Sequence, residues 1–161
     1  MKNSTTLSQL IEIFRSRKLT LSFAESCTGG RLSAFVTEQP GVSDIFLGSV
    51  VSYSNQAKED LLGVRRDTLL SEGAVSEKIA RQMAQGVRRQ IHSDWSVAIT
   101  GIAGPSGGSP EKPVGTVWFA VSGPNFEAAE KKLFAGSRVE IQDHSVNFAM
   151  EFLIKCVGAG K

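Results

Sequence analysis

Apolar positions along this chain fall into two rhythms that take turns from one end to the other. Leu7, Leu10, Ile11 and Phe14 recur at helical spacing, and Thr6-Leu7-Ser8-Gln9 matches a capping box, so a first helix is predicted that ends near Lys18. Leu19 to Ala24, with Thr20 and Ser22 alternating, predicts a strand. The stretch from Thr28 to about Glu38 carries Leu32, Phe35 and Val36 on one face and predicts a helix stopped before Pro40-Gly41. Ile45 to Tyr53 is rich in β-branched and aromatic residues and predicts a second strand. Asn55 to Leu62 reads as a short helix closed by Gly63, and Asp67 to Leu70 as another helical piece. Ser76 then caps a longer helix with Ile79, Met83, Val87 and Ile91 on its apolar face. Trp95 to Thr100 predicts a buried strand. Gly115 to Ser122 and Phe126 to Phe134 predict two strands paired across Gly123-Pro124-Asn125, followed by a last helix from Ser137 to about Val157. Such alternation implies an α/β domain with helices on both faces of a mixed sheet.

Composition narrows the function classes. The 161 residues suit one domain, and a hydrophobic share of 41% is enough for a core. A net charge of +2, with basic residues gathered only as doublets such as Arg88-Arg89, gives no reason to expect a nucleic-acid surface. Cys27 and Cys156 form no CxxC pair, and His92 and His144 add no zinc spacing. The first residues, MKNSTTLSQLIEIF, hold no long apolar stretch with a cleavage pattern, and no window reaches the length of a membrane span. A cytoplasmic location without membrane contact is the expectation.

Three polar clusters carry the candidate chemistry. Glu25-Ser26-Cys27-Thr28-Gly29-Gly30 lies between a predicted strand and a predicted helix, where ligands of open α/β sheets gather. Backbone N–H groups at that helix start would face an anion or an oxyanion, or else Ser26 or Thr28 is only a helix cap. Cys27 is either a nucleophile or a packed thiol. Tyr53 ends a strand and Lys58 begins a helix, so both can face the crevice of Ser26. A lysine partly removed from water loses affinity for its proton and serves as a general base, while a lone lysine on an amphipathic helix is a solvated surface residue. Thr100-Gly101-Ile102-Ala103-Gly104-Pro105 opens a glycine-rich loop reaching Pro113, read as a lid or ligand loop against a plain solvated one. Arg138, near the start of the last helix, is a candidate cation for a phosphate or carboxylate.

In this order the clusters resemble the CinA C-terminal domain family, the nicotinamide-nucleotide amidohydrolases. The resembling stretches are AESCTGG (24–30), GSVVSYSNQAKEDLLGV (48–64), GAVSEKIARQMAQGV (73–87), AITGIAGPSGG (98–108), KPVGTVWFAV (112–121) and FAGSR (134–138). They cover nearly the whole chain, from about Leu7 to Phe152. The resemblance implies a single three-layer α/β/α domain with a mixed, mostly parallel sheet. It implies hydrolysis of the carboxamide of nicotinamide mononucleotide, with Ser26 as nucleophile, Lys58 as proton acceptor and Tyr53 as an assisting hydroxyl. Cys27, Thr28, Gly29, Gly30, Thr100, Gly101, Ala103, Gly104 and Arg138 are then expected near the substrate. No metal or organic cofactor is implied, and a homo-oligomer, most simply a dimer, is expected. The family commonly has a second basic residue four positions after the arginine, where this chain has Gln142. Its Gly-Gly before the strand valines is Gly48-Ser49 here. The rival expectation is a paralogue that holds a pyridine nucleotide without useful chemistry.

Overall fold

In the computed structural model, which describes residues 3–160, eleven helices and strands alternate along the chain. They are α1 (Ser4–Ser16), β1 (Leu21–Glu25), α2 (Arg31–Thr37), β2 (Phe46–Val51), α3 (Asn55–Leu62), α4 (Arg66–Glu72), α5 (Glu77–Ile91), β3 (Trp95–Gly101), β4 (Thr116–Gly123), β5 (Phe126–Leu133) and α6 (Arg138–Ala159), with a 3-10 turn at Val42–Asp44. The strands form one sheet in the order β2-β1-β3-β4-β5. The β1 strand pairs in parallel with β2 and β3, while β4 is antiparallel to both β3 and β5. Four strands therefore point one way and β4 alone runs back, as a mixed, mostly parallel sheet requires. Among the described residues no helix is long and apolar enough to cross a membrane.

The two sheet faces differ in side-chain size, and that difference sets the layers. Phe23, Val97, Ile99, Val117, Phe119 and Val121 project to one face and join the cores of α1, α2 and α6. The alternate positions are small: Ala24, Ala98 and Ala120 meet α5 together with Leu62 of α3 and Leu69 of α4. Ser96 and Thr100 share this second face, donating to Ala84 O at 2.7 Å and Ala74 O at 2.9 Å. Small residues let α5 approach the sheet closely, and their hydroxyls satisfy carbonyls that burial would otherwise orphan. Gly86 of α5 serves the same end, because a Cβ there would collide with the Leu62 carbonyl oxygen of α3.

Several boundaries move from their predicted places for identifiable reasons. The α1 helix starts at Ser4 because Asn3 accepts from the N–H groups of Thr5 and Thr6; the box at Thr6 is not used. The predicted helix from Thr28 begins only at Arg31, since Gly29 (φ 59°) and Gly30 (φ 95°) are left-handed and belong to a turn. Elsewhere Ser54, Ser76 and Ser137 cap α3, α5 and α6 through their hydroxyls, with Glu140 completing a capping box at Ser137. Gly63 closes α3 in the left-handed conformation, as its position predicts.

Candidate active site

The chain from β1 to β2 passes through α2 on one face, and from β2 to β3 through α3, α4 and α5 on the other. The carboxyl ends of β2, β1 and β3 thus open a crevice, the place where open α/β sheets take ligands. A cleft of about 270 Å³ lies there. Its walls include Ser26 and Cys27 after β1, Tyr53, Asn55 and Lys58 around the start of α3, Thr100 to Gly104 at the end of β3 and just beyond it, and Arg138 at the head of α6. Larger hollows occur by α1 and by the end of α5, but the first has Arg15 held by Asp44 and neither contains the Ser26–Lys58 pair.

Ser26 and Lys58 meet in this cleft. The Lys58 Nζ is 3.0 Å from Ser26 Oγ, 2.8 Å from Ser52 O and 3.4 Å from Tyr53 O. Lys58 is only 1% exposed, and burial pulls its ammonium down from 10.5 to about 8, against a weaker opposing effect from Cys27. The two carbonyls can only accept. A neutral Lys58 amine, with two hydrogens and one lone pair, therefore gives its hydrogens to Ser52 O and Tyr53 O and turns the lone pair toward the Ser26 hydroxyl. The backbone after β2 orients this amine.

Cys27 has the opposite character. It is 5% exposed, and burial pushes its thiol up from 9.0 to about 12, so it remains protonated and serves as packing at the cleft wall. Of the two alternatives for this residue, the environment favours the packed thiol.

The donors at the start of α2 are committed elsewhere, contrary to expectation. Glu25, fully buried at the end of β1, accepts from Thr28 Oγ1 (2.7 Å), Gly30 N (3.2 Å), Leu32 N (3.1 Å), Ser33 N (2.9 Å) and Ser33 Oγ (2.6 Å). Gly29 N donates to Ser26 O at 3.0 Å. Thr28, Gly29 and Gly30 accordingly stand behind Ser26 rather than on the cleft wall. A carboxylate beneath the turn neutralises the helix start that an anion was expected to occupy. The N–H groups of Cys27 and Thr28 are the ones in this turn that none of these bonds engages.

Tyr53 also divides its roles differently from expectation. Its side chain is 60% exposed, and its hydroxyl accepts from Arg138 Nη2 at 2.8 Å. Its backbone oxygen, not its hydroxyl, is what reaches Lys58. Arg138 is held at both ends, by Tyr53 Oη and by Gly104 O at 2.7 Å, so both partners are neutral oxygens and its charge stays available to the cleft. Thr100, Gly101, Ala103 and Gly104 line the cleft as the sequence suggests. Beyond them the loop is strapped down by Lys112 Nζ on Glu72 O at 2.6 Å and by Gly115 N on Ile102 O at 2.7 Å. Among the described residues no group of three His, Cys, Asp or Glu side chains is placed to hold a metal ion.

Glu25 and Ser52 are the site residues that sequence reasoning passed over. Glu25 was readable only as the residue before Ser26, since capping patterns look for acids inside the first turn and not five residues earlier. Ser52 acts through a backbone carbonyl, which leaves no mark in a sequence.

A model of the CinA C-terminal domain matches residues 3–157. A CinA-like protein of Prochlorococcus marinus is 50% identical over 154 residues, which cover 94% of this chain and 36% of that protein. One from Fervidobacterium nodosum is 48% identical over 151 residues, covering 91% and 37%. The chain spans about a third of the length of these curated relatives. The crystal structure of the competence/damage inducible protein CihA from Agrobacterium tumefaciens superposes with a TM-score of 0.92 at 40% identity, covering 94% of this chain and 93% of that one. The competence damage-inducible protein A (ComA) from Klebsiella pneumoniae superposes with a TM-score of 0.95 at 30% identity, over 100% of both chains.

Proposed function

The chain belongs to the CinA C-terminal domain family, and from that premise we propose that it is an amidohydrolase converting nicotinamide mononucleotide to nicotinic acid mononucleotide and ammonia. The observation that carries this reading is the 3.0 Å contact between Ser26 Oγ and the amine of a lysine that is 1% exposed. A serine is a weak nucleophile until a base takes its proton, and a desolvated lysine is a base able to do so near neutral pH.

Ser26 Oγ attacks the carboxamide carbon while its proton passes to the lone pair of Lys58 Nζ. The carbonyl π pair moves onto oxygen, giving a tetrahedral oxyanion that takes the N–H of Cys27, whose residue forms part of the cleft wall. When the pair returns, the carbon–nitrogen bond breaks, and Lys58 returns its proton to the departing nitrogen, which leaves as ammonia. Water then attacks the acyl ester as Lys58 accepts its proton; the bond from the acyl carbon to Ser26 Oγ breaks, Lys58 passes that proton to Oγ, and the nicotinic acid product leaves. Arg138 supplies the positive charge that suits a phosphate-bearing substrate, and the cleft wall formed by Ser26, Cys27, Tyr53, Asn55, Lys58, Thr100 to Gly104 and Arg138 contains no carboxylate.

Ammonia release from nicotinamide mononucleotide, followed beside a thermal-shift titration with the same compound, tests this reading. The expected result is turnover in the unsubstituted protein and a loss of at least ~10³-fold in Ser26→Ala, with the thermal shift retained. Near-normal turnover by Ser26→Ala rules the nucleophile out. A thermal shift without any ammonia from the unsubstituted protein favours the rival, a nucleotide-binding module without chemistry.

A further inference from the structure

Three strand ends meet the cleft side by side. In the sheet order β2-β1-β3, Ser26 leaves the middle strand, Tyr53 follows β2 on one flank and Gly104 follows β3 on the other. Arg138 joins the two flanks. Its Nη1 donates to Gly104 O at 2.7 Å and its Nη2 to Tyr53 Oη at 2.8 Å, so a hydrogen-bonded bridge crosses the cleft beside the exit that carries Ser26. Ser26, Tyr53, Gly104 and Arg138 all line this one cleft. The guanidinium charge reaches its inner wall, where it opposes the upward push of burial on the Cys27 thiol.

Counting hydrogens shows what the bridge has left to give. A guanidinium has five N–H hydrogens, and these bonds use one on each Nη, so the Nε hydrogen and the second one on each Nη lie outside them. Tyr53 Oη accepts from Arg138, and its own hydrogen is still to be donated. Accepting from a cation polarises the phenol and strengthens it as a donor. Both oxygens that hold Arg138 are neutral, and among the described residues no carboxylate is paired with it. A cation beside an O–H donor selects an anion with several acceptor oxygens, and a phosphate monoester can take both donors at once. The resemblance casts Tyr53 as an assisting hydroxyl in proton transfer. Here the backbone oxygen of Tyr53 reaches Lys58 Nζ at 3.4 Å, while the hydroxyl belongs to Arg138.

We propose that Tyr53 and Arg138 form one anion receptor at the cleft mouth, in which the Tyr53 hydroxyl holds the guanidinium in place and donates its own hydrogen to the phosphate of a bound nucleotide. For the identity of that nucleotide the inference rests on the hydrolase reading above. Tyr53 is then a selector of phosphorylated over unphosphorylated amides and takes no part in the proton transfer.

The test uses Tyr53→Phe, which keeps the ring and removes the hydroxyl at a residue 60% exposed, beside Arg138→Met and the double variant. Affinity is measured by calorimetry on the Ser26→Ala background, which does not consume the ligand, for nicotinamide mononucleotide and for nicotinamide riboside, its counterpart without the phosphate. With Tyr53 and Arg138 intact, the mononucleotide is expected to bind about 10²-fold more tightly. Tyr53→Phe should reduce that preference about tenfold, through weaker binding of the mononucleotide, with the riboside changed less than about threefold. Arg138→Met should abolish most of the preference, and adding Tyr53→Phe to it should cost less than about threefold more, because the two groups serve one anion. With Ser26 present, Tyr53→Phe is expected to raise KM for ammonia release by about tenfold, with kcat within about threefold and the rising limb of the pH profile in place. Unchanged affinity for the mononucleotide in Tyr53→Phe, equal losses for both ligands, or fully additive losses in the double variant overturn the proposal. So does a Tyr53→Phe protein whose loss lies in kcat with a displaced pH profile, which would return the hydroxyl to proton transfer. If the protein with Ser26 releases no ammonia, the hydrolase reading falls, while a phosphate preference that Tyr53→Phe weakens still sustains the receptor. Equal binding of the two ligands, or binding of neither, sinks the receptor whatever the ammonia assay gives.

Discussion

Lys58 has three oxygen neighbours and, when neutral, two hydrogens to give them. That shortage directs the neutral amine, since Ser52 O and Tyr53 O claim the hydrogens and leave the lone pair facing Ser26 Oγ. Burial makes the neutral form accessible. With the ammonium at about 8, about a tenth of the molecules have the base ready at pH 7, against roughly one in three thousand for a solvated lysine. The rate of amide hydrolysis should therefore rise with pH and level off above a midpoint near 8, which a pH–rate profile of kcat/KM measures. Lys58→Arg should remove that limb and cost about 10³-fold, because a guanidinium does not release its proton in this range. A Lys58→Arg protein that keeps the rising limb would assign it to another group. At this scale the sequence was legible where side chains do the chemistry: Ser26, Lys58 and Arg138 were candidates from residue type and position. It was illegible where the backbone acts, as at Ser52 O, and where burial alone decides, as between the two readings of Cys27.

At the scale of elements, Ser26 and Lys58 ride on separate pieces whose spacing is set by packing. Ser26 follows β1, and Lys58 belongs to α3, which leans on α5 at Gly86. A methyl group at position 86 would overlap the Leu62 carbonyl oxygen, one turn along α3 from Lys58. Gly86→Ala is expected to destabilise the fold by about 2 kcal/mol despite the better helix propensity of alanine, and to lower kcat as α3 carries Lys58 away from Ser26. Urea unfolding and ammonia release on the same preparation check both parts; greater stability with full activity would show that the helices separate freely. The periodic helices and strands were readable because their burial follows a fixed period, and Gly63, Ser76 and Ser137 marked their ends by known chemistry. Helix α2 was misplaced by three residues because Gly29 and Gly30 form a left-handed turn, whose following N–H groups are taken up by Glu25 in the strand before it. The extra reach of that carboxylate, which Ser33 Oγ links at 2.7 Å to Ser49 Oγ of β2, also ties Ser49 to the turn.

Across the whole molecule, four separated segments converge on one crevice, and the cost of desolvating Lys58 is borne by the entire fold. The alternation of elements made that convergence legible, since right-handed crossovers on opposite faces bring β2 and β3 to either side of β1. The 115-residue reach from Gln142 to Cys27 was not legible, because no local pattern marks a contact between layers. The burial of Lys58 has a measurable signature in stability. Below pH about 8 both native and unfolded chains hold the Lys58 proton, and the native state bears the full penalty for a buried ammonium. Between about 8 and 10.5 the native amine is neutral while the unfolded one is still charged, so the unfolded chain binds more protons and the unfolding free energy rises with pH. Above 10.5 both are neutral and the slope vanishes. Lys58→Met has no proton to exchange, and other groups titrate alike in both proteins. The stability of the unsubstituted protein relative to Lys58→Met should thus grow by about 3 kcal/mol across that window, measured by urea unfolding at pH 7, 8, 9 and 10.5. A difference that stays level would mean that water reaches the amine in the native state, and a solvated lysine would not be the base that Ser26 needs.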